Sequence, residues 1–247
     1  VQLLNNGDAI GIGTVPDNAT AELMVEGEAG QSGAIQALQN GADYALDAQG
    51  DIHALNSYWL FNTEWLHVPG GTTSNTAVGN NVGQSMTTGT NNTLMGASAG
   101  QSLAGGSNNT LLGQDAGGSL TSGNDNVVVG QGALVFGATV SENTAIGTAA
   151  GRNAETSGNT FVGNRAGLLA STGSGNAFFG SQAGQSITTG SSNLVMGTSA
   201  GGALAGGTSK NTILGAQAGV QGGGTRNIAI GFNAGAELGD GDDNILI

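Results

Sequence analysis

Asn143-Thr144-Ala145-Ile146-Gly147-Thr148-Ala149-Ala150-Gly151 is the clearest copy of a nine-residue phrase, Asn-x-x-x-Gly-x-x-Ala-Gly, that returns about every 17 residues along this chain. Its anchoring asparagines are Asn75, Asn92, Asn109, Asn126, Asn143, Asn159, Asn176, Asn193, Asn211, Asn227 and Asn244, separated by 16 to 18 residues. Repetition this regular marks a solenoid or fibre, in which no unit buries its apolar face alone and each must stack on its neighbours. The phrase therefore predicts an all-β chain, a parallel β-solenoid or β-roll of about ten 17-residue coils.

Aligned on the asparagines, the repeat has two halves. The half from Asn to the second Gly keeps nine residues in every full repeat, while the following half varies between seven and nine. Length variation belongs to surface loops, so the constant half reads as the ordered edge of each coil and the variable half as its outer turn. The second and third positions after Asn are apolar. Second positions run from Ala77 and Leu94 through Phe161 and Phe178 to Ala229; third positions are Val78, Met95, Leu112, Val129, Ile146, Val162, Phe179, Met196, Leu214 and Ile230. In a strand such neighbours point to opposite faces. One stripe fills the coil, and the other is left in water unless copies of the chain cover it. The third-position stripe is accordingly assigned as an inter-chain or core stripe.

The anchoring Asn has two readings. Identical amides one above another can form a hydrogen-bonded ladder at the edge of the core, or Asn is an ordinary turn residue. Ala-Gly suits a tight inner bend, with Gly free to take positive φ; the fourth repeat breaks this corner with Gly132-Ala133-Leu134. Met86, Leu103, Leu120, Ile187, Leu204 and Leu238 follow the corner by three residues and are expected to return the outer turn to the core. At roughly 4.8 Å per coil, ten coils make a rod about 50 Å long.

The composition agrees with a scaffold. There are 48 glycines, no strict third-residue period and only Pro16 and Pro69, with 9% charged and 4% aromatic residues. The net charge of −13 makes duplex nucleic acid and anionic membranes poor partners, because both need a cationic footprint. Residues 1–70 hold nine acids and no Lys or Arg; all four bases, Arg152, Arg165, Lys210 and Arg226, lie beyond. Cysteine is absent, so stability is expected from stacking rather than disulfides. No run of 18 apolar residues suggests membrane insertion. The division expected is a non-repetitive connector, 1–70, and a repeat array, 71–247, from a segment of something longer.

Candidate chemistry is sparse. Glu64 and His67 lie three apart with His53 upstream, but no third ligand stands at a recognised spacing, and they read better as packing around Trp59 and Trp65. Gly239-Asp240-Gly241-Asp242-Asp243-Asn244 has oxygen ligands suited to calcium but occurs once, so a solvated acidic turn is favoured. With two His, both outside the repeats, no Ser/His/Asp set can be nominated, no cofactor is implied, and no enzyme is expected. Thr follows the anchor at Thr76, Thr93, Thr110, Thr144, Thr160 and Thr212, a partial ladder of the kind an ice-binding face would present. A β-branched residue chosen for strand packing explains it more cheaply.

Ile10-Gly11-Ile12-Gly13-Thr14-Val15-Pro16, followed by Leu23-Met24-Val25-Glu26-Gly27, resembles a phrase common in bacteriophage tail fibres and related bacterial fibre proteins. The array resembles the same proteins' glycine-rich repeats, most directly at 143–151. That resemblance implies a homotrimeric fibre, similar to the β-roll heads of trimeric autotransporter adhesins. The implied function is structural and adhesive, projecting and multivalently presenting receptor-binding elements for host attachment. The implied place is the virion tail or the cell surface, with a surface glycan or protein as receptor. If this segment touches that receptor, the Gly/Ser/Thr-rich outer turns or Tyr58, Trp59 and Trp65 are the expected surfaces. The rival is a monomeric solenoid that binds ice or another surface.

Overall fold

In the computed structural model, the described residues are five strands between 35 and 67, and 74–247 apart from 203, 205, 220–223 and 236–240. The first strands are β1 (Ile35–Gln39), β2 (Ala42–Leu46), β3 (Ile52–Ala54), β4 (Ser57–Leu60) and β5 (Thr63–His67). The array supplies β6 (Thr76–Val78), β7 (Thr93–Met95), β8 (Thr110–Leu112), β9 (Val127–Val129), β10 (Thr144–Ile146) and β11 (Thr160–Val162). It continues as β12 (Ala177–Phe179), β13 (Leu194–Met196), β14 (Thr212–Leu214), β15 (Ile228–Ile230) and β16 (Ile245–Leu246). No helix occurs among the described residues.

From β6 onward the chain is a parallel β-solenoid of about nine turns. Each strand pairs in parallel with the strand one repeat away, equivalent residues opposite one another: Thr144 with Thr160, Ala145 with Phe161, Ile146 with Val162. The strands span three residues because a glycine ends them. At Gly130, φ is +135°, and an added Cβ would stand 2.4 Å from the carbonyl oxygen of Gly147 in the next coil. Backbone thus meets backbone along the glycine column from Gly79 to Gly215, which no side chain permits.

Sheet strands also precede the array. β4 and β5 pair antiparallel, and β5 pairs antiparallel with β6, Leu66 opposite Val78. The hairpin therefore extends the solenoid's sheet across residue 70. β1, β2 and β3 form a separate antiparallel sheet.

Packing answers which stripe lies inside. The second-position residues, Leu94, Leu111, Val128, Phe161, Phe178 and Val195 among them, are fully buried. They meet the corner alanines Ala99, Ala116, Ala150, Ala166, Ala183, Ala200 and Ala218 and the outer-turn residues Met86, Leu103, Leu120, Ile187 and Leu204, all buried; Leu238 lies outside the described residues. One coil thus contributes a side chain from its strand, a small one from its corner and one from its return. Each large aliphatic group so buried contributes about 1.5–3 kcal/mol.

The middle of the array fills the same space differently. The coil of Asn126 has Gly137 where other coils carry the returning aliphatic, and Leu134 occupies the core instead, buried from a corner position at φ +46°. Val140 joins it there. In the next two coils that place is Ala154 and Ala170, and Phe161 and Phe178 take up the volume, their ring centroids 5.5 Å apart.

Candidate functional site

The eleven anchoring asparagines stack in register at the core's edge, nearly all of them buried. Asn109 shows the pattern. Its backbone N–H and its Nδ2 both donate to Asn92 Oδ1, at 2.9 and 3.0 Å, and Nδ2 also donates across its own coil to the Gly123 carbonyl at 2.9 Å. Asn126 then donates to Asn109 Oδ1 in the same two ways, at 3.1 and 2.9 Å. Both amide protons and both lone pairs of Asn109 are used, so this buried group neither loses its solvation uncompensated nor keeps capacity for a ligand.

Spacing tunes the ladder. Across the 18-residue step, Asn211 keeps both bonds to Asn193 Oδ1, at 3.0 and 3.1 Å. Across the two 16-residue steps the backbone bond persists at 2.9 Å and Nδ2 keeps its bond across its own coil, Asn159 to Gly173 and Asn227 to Gly241, but it no longer reaches the preceding anchor; Asn159 Nδ2 turns to Thr156 instead.

A second ladder escaped the sequence reading. Two residues before each anchor stands Thr90, Ser107, Asn124, Ser141, Ser157, Ser174, Ser191, Ser209, Thr225 or Asp242, always a short side chain with an oxygen. At most steps that oxygen accepts the backbone N–H of its counterpart one coil earlier: Asn124 Oδ1 from Ser107 at 2.8 Å, Ser141 Oγ from Asn124 at 2.9 Å, Ser157 Oγ from Ser141 at 2.9 Å. The anchor ladder accepts from the following coil and this one from the preceding coil. Between them sits a left-handed residue, such as Asn108 at φ +59° or Glu142 at φ +58°. The invariably short oxygen-bearing side chain was the available signal.

The third-position stripe, Val78, Met95, Leu112, Val129, Ile146, Val162, Phe179, Met196, Leu214 and Ile230, lies on the outer face of the sheet. Stacking covers part of each residue, but Met95, Met196, Ile230 and Ile146 remain 52, 46, 40 and 39% exposed. As a core stripe within one coil it is therefore excluded, since alternation along the strand gives the interior to the second position. The threonines of β6, β7, β8, β10, β11 and β14 share this outer face, exposed or half-buried.

Of the remaining candidates, only backbone pairing is described for the aromatic strands: Trp59 stands opposite Glu64 and Ser57 opposite His67. The side chains of His53, Tyr58, Trp59, Glu64, Trp65 and His67 lie outside the described residues, as does Asp240. Asp242 and Asp243 face Arg226: its Nη2 donates to Asp243 Oδ2 at 2.8 Å, and Asp242 Oδ1 accepts from the Thr225 N–H at 2.7 Å. The Arg226 hydrogen bond holds the Asp243 carboxyl below its ordinary range and raises the guanidinium in turn. Among the described residues no group of three His, Cys, Asp or Glu is placed to hold a metal. No helix there is long and apolar enough to cross a membrane. No family model, curated protein or solved structure matches the chain.

Proposed function

We propose that this chain is a structural and adhesive fibre segment that works as a homotrimer, part of a phage tail or a comparable bacterial surface fibre. The observation that carries the assembly is the outer apolar stripe from Val78 to Ile230, a half-exposed column along one strand face. Soluble monomers seldom leave such a ridge in water. Three copies around a common axis bury it and stiffen the rod, and threefold presentation converts weak receptor contacts into avidity. The fibre's ownership rests on the resemblance of the repeat phrase at 143–151 and of residues 10–27 to tail-fibre sequences.

Analytical ultracentrifugation tests the assembly. A threefold mass is expected, and Met95→Lys with Met196→Lys should lower it without loss of β structure; a stable monomer overturns the trimer. The outer placement of Thr76, Thr93, Thr110, Thr144, Thr160 and Thr212 favours the second reading, a monomeric ice- or surface-binding solenoid. Monomeric mass together with arrest of ice-crystal growth would establish that one instead.

A further inference from the structure

The three coils that refill the core also change the outer turn. At the tenth residue after the anchor, the coils of Asn75, Asn92, Asn109 and Asn176 carry Ser85, Ser102, Ser119 and Ser186. The coils of Asn126, Asn143 and Asn159 carry Phe136, Asn153 and Leu169 there instead. Phe136 is 51% and Leu169 42% exposed. The Arg152 guanidinium lies 5.7 Å from the centroid of the Phe136 ring, and the Phe136 N–H donates to the Arg152 carbonyl at 3.0 Å. Gly132 makes this possible. It replaces the side-chain-bearing residue of that corner column, and an added Cβ would stand 3.4 Å from Arg152 Nη1. Arg165 occupies the same corner column two coils further on, about 10 Å along the rod. Neither Arg152 nor Arg165 makes an ion pair among the described residues, although acids outnumber bases 17 to 4 in this chain.

We propose that Phe136, Arg152, Arg165 and Leu169 form a subsite for a carboxylate-bearing sugar unit of a surface polysaccharide, an inference that rests on the adhesive reading above. A guanidinium pairs with a carboxylate through two parallel N–H donors, while the exposed ring and Leu169 meet the apolar face of the pyranose. Asn153, between them, supplies an amide for hydroxyls. The patch spans three coils, too small for the roughly 800 Å² per partner of a stable protein interface. The surrounding negative charge repels a densely charged polyanion, so sparse carboxylates separated by neutral sugar fit best. Three patches around the fibre would multiply a weak single contact.

The test titrates the full chain with tetragalacturonate, a hyaluronan tetrasaccharide and sialyllactose, each against its neutral counterpart, with poly-glutamate as a peptide control. At least one acidic sugar should bind about tenfold or more tightly than its neutral counterpart. Arg152→Gln and Phe136→Ser should each erase that preference with mass and circular dichroism unchanged, and Arg152→Lys should restore it only in part. The inference is overturned if no acidic sugar is preferred, if the preference survives both variants, or if poly-glutamate binds as tightly. A threefold mass with no sugar preference removes this subsite and leaves the fibre; a monomeric mass removes the fibre reading whatever the sugars do.

Discussion

The coils of Asn92 and Asn109 obey the repeat at every core position, whereas those of Asn126, Asn143 and Asn159 depart from it, yet both sets hang on one continuous strand ladder. The first set pairs a strand aliphatic with a returning one, Leu94 with Leu103 and Leu111 with Leu120. The second loses the returning aliphatic to Gly137, Ala154 and Ala170 and recovers volume from Leu134, Val140, Phe161 and Phe178. Backbone and amide ladders thus fix the coil, while its filling is negotiated between neighbouring coils. A repeat whose interior is shared tolerates a change that a neighbour's side chain offsets.

If the phenylalanines carry that compensation, Phe161→Ala should be the most damaging change, about 3–5 kcal/mol by urea denaturation. A cost below about 1 kcal/mol would mean the middle coils close up without it. Asn109→Ala should follow at about 2–3 kcal/mol, because it orphans the buried N–H of Asn126 and the Gly123 carbonyl. The same change at Asn159 should cost about 1 kcal/mol less, one amide bond of that rung being already redirected. Leu134→Gly restores the repeat's usual corner and relieves a left-handed leucine, but it empties the core; we expect a net loss of about 1–3 kcal/mol in thermal denaturation. A gain in stability would show that the corner outranks the filling.

The second ladder predicts a smaller effect in the regular coils: Ser107→Ala should cost about 1 kcal/mol and speed exchange of the Thr90 amide, read by hydrogen exchange. Thr208 closes the series. It is buried where most coils have glycine, and its Oγ1 has no hydrogen-bond partner. Thr208→Val should therefore be neutral or stabilise by up to about 1 kcal/mol; a clear loss would mean the hydroxyl is satisfied.

Much of this was legible in the chain. The period, the constant edge, the turn that changes length and the return of Met86, Leu103 and Leu120 to the core all follow from spacing and apolar position. The ladder of Ser107, Asn124 and Ser141 went unread because its meaning depends on the backbone of another coil. The corner at Gly132-Ala133-Leu134 looked like a lapse in the phrase; its sense appears only beside Arg152 and Gly137.

The sequence by itself determined that the chain stacks, since a 17-residue period with one apolar strand position per face admits no other economical burial. Which of the two adjacent stripes lies inside was decided only in three dimensions. Alternation along a strand says that Ala145 and Ile146 part company, but not toward which side. The direction is set by where the glycine corner and the returning turn close the coil, and they close it over the second position.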